Sequence, residues 1–376
     1  LQIVSDVTLK SLALLNFKNW EELHLSFSPV VNCFIGPNGV GKTNILDSIH
    51  FLCTTKSFLS TTDIQCIRFG ADYFFIKGEF DRIGNLEVIQ VSLKKSEKKV
   101  LKRNDSNYQR LSEHIGLLPV IVISPQDTNL IYEGSDERRK TLDLALSLSD
   151  GLYLHNLQRY NRLLQQRNAY LKEADTSGRV QHDILTLYDE QMDPFASYIY
   201  NARNSFLAAA DQYLSRFYYT ISSAREHCSI RYQSDLADNN LAALLAQSRQ
   251  KDRELLYTTR GVHKDDLEMY INGQPLKKFG SQGQQKSFLI ALKLAIYAVI
   301  KEQTGLSPIL LFDDIFDKLD QKRASQVIRL VQEMKFGQIF LSDTHPERVK
   351  MLTQQTGSHS KFFMLDEHQK ITHHEA

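Results

Sequence analysis

The chain has 376 residues, 42% of them hydrophobic, and its 45 Lys and Arg against 44 Asp and Glu give a formal net charge of +1. This is enough apolar material for a real core and enough length for roughly two or three domains, or for one large domain with an insertion. No apolar run approaches a membrane span, the N-terminal residues lack the regions of a secretory signal, and Cys33, Cys53, Cys66 and Cys228 show no metal or redox spacing, so a cytosolic protein with buried thiols is expected.

In chain order, Leu9, Leu12, Leu14 and Phe17 predict a first strand, and Leu23, Leu25 and Phe27, alternating with polar residues, predict a second. The apolar run 30–35 reads as a buried strand. It leads into Gly36-Pro37-Asn38-Gly39-Val40-Gly41-Lys42-Thr43 and then a helical face of Ile45, Leu46, Ile49 and Leu52. Strand, G-x-x-x-x-G-K-T and helix together are the context of a phosphate-binding loop. Glycines let backbone N–H groups close around a phosphate, and the helix N-terminus adds partial positive charge. Lys42 is expected at the β- and γ-phosphates and the Thr43 hydroxyl on Mg²⁺.

Segments 73–80 and 86–93 predict a hairpin with its turn at 81–85. Lys94, Lys95, Lys98, Lys99, Lys102 and Arg103 follow, and read equally as a solvated strand edge or as contacts to a phosphate backbone. After another apolar strand at 119–123 the composition changes. Segment 135–222 is helical in pattern and rich in Arg, Gln, Asn and Tyr, with Leu157, Tyr160, Leu164 and Leu171 on one stripe. Pro194 is placed to kink or break the second long stretch, 183–219. Two arms of about 35 residues, roughly 50 Å each, without a strict heptad predict a helical lobe rather than a long coiled coil. Strand character returns near 229–232, and α/β character after 257. The expectation is an α/β nucleotide-binding fold (1–125 and 258–376) split by an inserted helical domain (126–257).

Ile309-Leu310-Leu311-Phe312-Asp313-Asp314 is four apolar residues ending in two carboxylates, the Walker B pattern. Asp313 is expected to face Mg²⁺, and Asp314 to orient or deprotonate the attacking water. Asp is one methylene shorter than the Glu usual at the second position, so slow hydrolysis is expected. Taken alone, the pair would also serve as a helix cap. Ser281, Gln282, Gly283 and Gln284 open a strongly apolar helix and offer a second anion site from a hydroxyl and free N–H groups. Two phosphate sites in one chain point to composite chemistry, in which one molecule's loop covers the nucleotide of another.

These motifs resemble the ABC-type ATPases, with SQGQ in place of LSGGQ, and within them the RecF family, related to SMC heads. The resemblance covers nearly the whole chain: Asn16-Phe17-Lys18-Asn19-Trp20, GPNGVGKTN, Ser124-Pro125-Gln126-Asp127 followed by Glu137-Arg138-Arg139 and Leu142-Asp143, Tyr160 with Leu164-Gln165-Gln166-Arg167-Asn168, Gly261-Val262-His263-Lys264-Asp265-Asp266-Leu267, SQGQQK and DDIFDKLD. It implies an ABC-type head with an inserted α-helical domain. ATP would lie on Lys18, Asn19, Gly36, Asn38, Gly39, Val40, Gly41, Lys42, Thr43 and Asn44, with Mg²⁺ on Thr43, Gln126 and Asp313. Ser281, Gln282, Gly283 and Gln284 would act in trans, Asp317 and Asp320 would form the D-loop, and Asp314 with Gln126 would be catalytic. The switch position falls on Thr344, with His345 adjacent. The sequence departs from the family at Val262, in place of Pro, at Gln126, in place of Glu, and at Asp317-Lys318, in place of Ser-Glu.

The resemblance further implies a cytoplasmic, weak, DNA-dependent ATPase that dimerises with ATP on DNA near single-strand gaps. Such a protein cooperates with RecR, assists RecA loading and serves replication restart and the SOS response. An ATPase subunit of a membrane transporter is the alternative, but it predicts LSGGQ and a switch His. An OLD-type nuclease fusion would need an acidic metal-binding domain, for which about thirty residues after Thr344 leave no room.

Overall fold

The computed structural model describes residues 6–177, 182–316, 319–334, 336–346 and 360–375. Strands β1 (Val7–Phe17), β2 (Trp20–Ser26) and β3 (Val31–Ile35) lead to helix α1 (Lys42–Thr54); β4 (Tyr73–Arg82), β5 (Asn85–Lys94), β6 (Val100–Arg103), β7 (Ser106–Asn107) and β8 (Val120–Ile123) follow. Next come α2 (Asn129–Tyr132), α3 (Ser135–Ser149), α4 (Gly151–Ser177), α5 (His182–Ile221), β9 (Cys228–Gln233), α6 (Leu241–Leu255), β10 (Asp266–Ile271), β11 (Gln274–Pro275) and α7 (Leu276–Phe279). The remaining described elements are α8 (Gln282–Thr304), β12 (Ile309–Asp313), α9 (Gln321–Glu333), β13 (Ile339–Asp343), β14 (Ser360–Leu365) and β15 (Ile371–Glu375).

The central sheet has the order β15-β14-β3-β13-β12-β8 and is parallel from β14 through β8. Every residue of β3, β12 and β8 is buried, as expected of parallel strands covered on both faces. Because these strands run the same way, the segments after β3, β13, β12 and β8 all emerge at one edge, where open parallel sheets bind their ligands.

A second, antiparallel sheet of order β2-β1-β4-β5-β6-β7 encloses α1, with Leu12, Leu14, Phe74, Ile76, Ile89 and Val91 packed against Ile45, Leu46, Ile49 and Leu52 in one apolar cluster. β1 carries a bulge between Leu9 and Ser11, which lets Leu9 and Leu12 both face inward despite their odd spacing. Buried Gln338, just before β13, accepts from the Leu9 N–H at 2.6 Å and donates to the Leu9 carbonyl at 2.9 Å, fastening one sheet to the other.

Three expectations change. The hairpin turn is shorter than 81–85: the strands pair through Arg82 and Asn85. Only Ile83 and Gly84 remain, both left-handed, in a turn whose twist matches the strands. The basic stretch is largely neutralised locally, since Lys94 pairs with Glu97, Lys95 with Asp72, Lys99 with Asp63 and Arg103 with Glu87. That favours a solvated edge over phosphate contacts. Finally, Pro194 does not break its helix, and the arms are unequal, α4 with 27 residues and α5 with 40. An interior proline costs about 3 kcal/mol, which is outweighed by the burial of Ile199, Phe206, Leu214 and Phe217 along the same helix. The lobe's apolar core is continuous with the central sheet, joining Cys33 and Ile35 to residues of α3, α4, α5, α6 and α8.

Candidate nucleotide site

The loop between β3 and α1 is shaped by close approaches only glycine permits. A Cβ on Gly36 would lie 2.4 Å from the Leu365 carbonyl oxygen. Gly41 has φ +106, and a Cβ there would lie 2.4 Å from Asn19 Nδ2. The chain grips this loop from outside: Asn19 Nδ2 donates to the Val40 carbonyl at 3.3 Å, Trp20 Nε1 to the Gly41 carbonyl at 3.3 Å, and Asn44 Nδ2 to Asn19 Oδ1 at 2.6 Å. Asn38 and Gly39 at the tip are exposed, and Val40 is buried as the anchor.

Lys42 Nζ lies inside the loop and donates to the carbonyls of Gly36 at 2.7 Å and Pro37 at 2.8 Å. Burial pulls its pKa down, opposed by the carboxylates of Asp314, Asp313 and Asp343. Thr43 Oγ1 donates to Asp313 Oδ1 at 2.8 Å, and Ser342 Oγ donates to the same oxygen at 2.6 Å. Burial raises the Asp313 pKa, against these two hydrogen bonds and the Lys42 charge. Asp314 follows in a left-handed conformation, φ 44, with its N–H directed to the Ser342 carbonyl and hydroxyl. A non-glycine residue held this way beside a buried carboxylate is the kind of strain found at functional sites.

Lys18 lies beside α1. Its ammonium does not turn to the loop but pairs with buried Asp47 at 2.6 Å, and Asp47 also accepts from Ser57 Oγ and the Phe58 N–H. Lys18 therefore ties the β1–β2 turn to α1. Gln126 sits exposed in a turn after β8 that is braced by Asp127, whose carboxylate pairs with Lys293 of α8 at 2.8 Å. Thr344 and His345 emerge after β13. His345 is exposed, and its N–H donates to Asp343 Oδ1.

The second expected anion loop lies elsewhere on α8. Ser281 caps the helix, accepting from the Gln284 N–H at 3.3 Å, and Gln284 Oε1 returns the bond to the Ser281 N–H at 2.7 Å. Ser281 and Gln282 are exposed, whereas the Gln284 amide is turned back onto its own molecule. Lys293 marks the level of the Gln126 turn. Ser281 is about twelve residues earlier, about 18 Å further along the helix. Asp320 caps α9 by accepting from the Arg323 N–H at 2.7 Å, and Asp317 lies outside the described residues.

The family model for the RecF/RecN/SMC N-terminal domain matches residues 8–362. The DNA replication and repair protein RecF of Flavobacterium johnsoniae is 44% identical over 357 residues, which is 95% of this chain and 99% of that protein. The same-named protein of Parabacteroides distasonis is 44% identical over 90% of this chain and 91% of its own length. This chain belongs to the RecF family. A solved structure described as the recombination mediator protein RecF with ATP, in the RecFOR pathway, superposes with a TM-score of 0.86 at 26% identity, covering 99% of this chain and 98% of the other. An Smc head domain from Pyrococcus furiosus shares the fold at a TM-score of 0.59 and 15% identity. The RecF-family membership sets aside the transporter reading.

Two residues of this RecF-family site were not singled out from sequence. Ser342 holds Asp313, and Asp343 is 2% exposed with Oδ2 lacking a hydrogen-bond partner. The available signal was a second apolar run ending in polar residues, Ile339-Phe340-Leu341-Ser342-Asp343, parallel to the Walker B strand. Among the described residues no cluster of His, Cys, Asp or Glu is suited to hold a metal by itself, so a hydroxyl such as Thr43 and the nucleotide's own oxygens would complete any Mg²⁺ shell. Hard oxygen donors at Thr43 and Asp313, and the unpartnered Asp343 Oδ2, fit that ion.

Proposed function

We propose that this chain is an ATP-switched, DNA-binding protein of recombinational repair and replication restart, and that the β3–α1 loop is its nucleotide site. The observation that carries the reading is the convergence of Lys42, Thr43 and Asp313 on one point under glycine-shaped backbone. In this reading the N–H groups from Gly39 to Asn44 hold the phosphates, and Asn19 and Asn44 keep the loop in shape. Lys42 leaves the loop carbonyls for the β- and γ-phosphates. Thr43 and Asp313, with Gln126, would hold Mg²⁺, which would supply charge neutralisation at the transferred phosphoryl group. Asp314 orients the attacking water and accepts its proton. Turnover is weak and DNA-dependent.

The site is shared between two molecules. Ser281 and Gln282 are exposed, well along α8 from the Lys293 that meets the Gln126 turn, which suits an isologous pair in which each signature loop covers the partner's ATP. ATP then closes the dimer on duplex DNA near a gap, and hydrolysis opens it. We further propose the division 1–125, 126–257 and 258–376, cytoplasmic location, and action with RecR and in RecA loading within the SOS response. Among the described residues no helix is long and apolar enough to cross a membrane. The test is a gel shift on gapped duplex with ATP, with ADP and without nucleotide, repeated across salt. ATP-specific retention with a steep salt slope is expected, and nucleotide-independent binding would contradict the switch.

A further inference from the structure

Glu226 lies in the segment between α5 and β9, and its carboxylate gathers three helices. It accepts from Tyr218 Oη of α5 at 2.5 Å, from Gln284 Nε2 of α8 at 3.0 Å and from Arg323 Nη2 of α9 at 3.2 Å. The Glu226 and Arg323 side chains are only 15% and 17% exposed. Arg323 divides its guanidinium: Nη1 donates to Ser287 Oγ at 3.0 Å, and that hydroxyl donates to the Gly283 carbonyl at 2.8 Å. The Arg323 N–H in turn donates to the capping Asp320 carboxylate. Two residues of the outward-facing loop, Gly283 and Gln284, are thus bonded through one ion pair to the start of α9.

The backbone is arranged to aim this carboxylate. α5 ends in a reversal in which Ser223 and Ala224 are both left-handed, with φ 57 and 64, and the Ala224 N–H closes on the Tyr219 carbonyl. Two consecutive non-glycine residues in that region are strained. The next residues are then pinned from both sides by Asn272: the His227 N–H donates to Asn272 Oδ1 at 2.9 Å, and the Asn272 N–H donates to the His227 carbonyl at 2.8 Å. Burial pushes the Glu226 pKa up, but the bonds from Tyr218 and Gln284 and the Arg323 charge outweigh it, leaving a carboxylate that stays ionised.

We infer that Glu226 is a positioning residue that holds the signature loop and the start of α9 as one rigid unit, so that engagement of the loop by a partner head's nucleotide is transmitted to the segment following the Walker B strand. This rests on the shared-site reading. A loop that must meet a phosphate across an interface gains from being fixed beforehand, because ordering it during association would weaken the dimer. Arg323 suits the task better than Lys would, since its planar fork reaches Glu226 and Ser287 together.

The test compares Glu226→Gln, Arg323→Lys, their double variant and the milder Tyr218→Phe with wild type and with Ser281→Arg. ATP binding is read at protein concentrations too low for dimers, dimerisation by ultracentrifugation with ATP, and turnover against protein concentration. Glu226→Gln should bind ATP as wild type does, while its ATP-dependent dimer dissociates at roughly tenfold lower dilution, the scale of one charge-assisted pair. The double variant should be no worse than the stronger single variant, because both break one link. Tyr218→Phe should fall in the same direction, more weakly. Parallel losses of thermal stability and single-head ATP binding would show a merely structural role and overturn the inference. Wild-type dimerisation by Glu226→Gln beside a failing Ser281→Arg would overturn the coupling alone. Full activity of Ser281→Arg would remove the shared site and the coupling together.

Discussion

At the β3–α1 loop the chain closes its polar groups on one another. Lys42 is bonded to two loop carbonyls, Thr43 and Ser342 meet on one oxygen of Asp313, and Asn19 and Trp20 clamp the loop from behind. At the start of α8 the chain turns its groups outward: Ser281 and Gln282 are exposed, and only Gly283 and Gln284 are tied back. The first region is finished within the molecule, and the second leaves its polar groups open to solvent. The difference teaches that a helix N-terminus with a capping Ser is not in itself a nucleotide site. What distinguishes the two ends is whether the surrounding chain supplies a cation and a carboxylate at the same point.

The comparison can be broken at the finished end first, where the largest effect is expected. Asp314→Asn should retain ATP affinity but lose turnover by on the order of 10²-fold or more, because the amide cannot accept the water's proton; steady-state hydrolysis beside equilibrium ATP binding checks this. Lys42→Ala should weaken ATP binding by roughly 10- to 100-fold, the value of a charged hydrogen bond, with the melting temperature little changed. Equal affinity by calorimetry would remove Lys42 from the site. Ser342→Ala should leave nucleotide affinity nearly intact and lower Mg²⁺-dependent turnover by roughly 2- to 10-fold, since one neutral hydrogen bond to Asp313 is lost. A Mg²⁺ titration of turnover reads that change. Smallest is Asn19→Ala, which relaxes the clamp without touching phosphate and should shift ATP affinity by only about a fewfold. The same substitution should leave the α8 end, and so dimerisation at saturating ATP, unchanged.

How much of this was legible from sequence follows from how local each feature is. The P-loop, the Asp313-Asp314 pair and the Ser281 cap were readable, because each is a short pattern at a strand or helix end whose chemistry lies in adjacent residues. The parallel strands were readable because burial on both faces leaves an apolar run. The Lys18–Asp47 pair was not legible because Asp47 is on a helix whose approach to the β1–β2 turn exists only after folding. Ser342 and Glu226 were missed for the same reason: their partners come from β12 in one case, and from α5, α8 and α9 in the other. The unbroken α5 shows a local rule overridden by packing, since the proline's penalty is small beside the apolar surface buried along 40 residues of helix.

The shared site is tested most directly by mixing two inactive proteins. Ser281→Arg fills the outward loop with a bulky cation but keeps its own P-loop, and Lys42→Ala loses its P-loop lysine but keeps the loop of α8. ATPase is measured on each alone and on an equimolar mixture, at concentrations that permit dimers. The account predicts that each is inactive alone and that the mixture recovers part of the wild-type rate, because each heterodimer contains one intact P-loop facing one intact signature loop. Full activity of Ser281→Arg by itself, or a mixture no more active than its components, would contradict it.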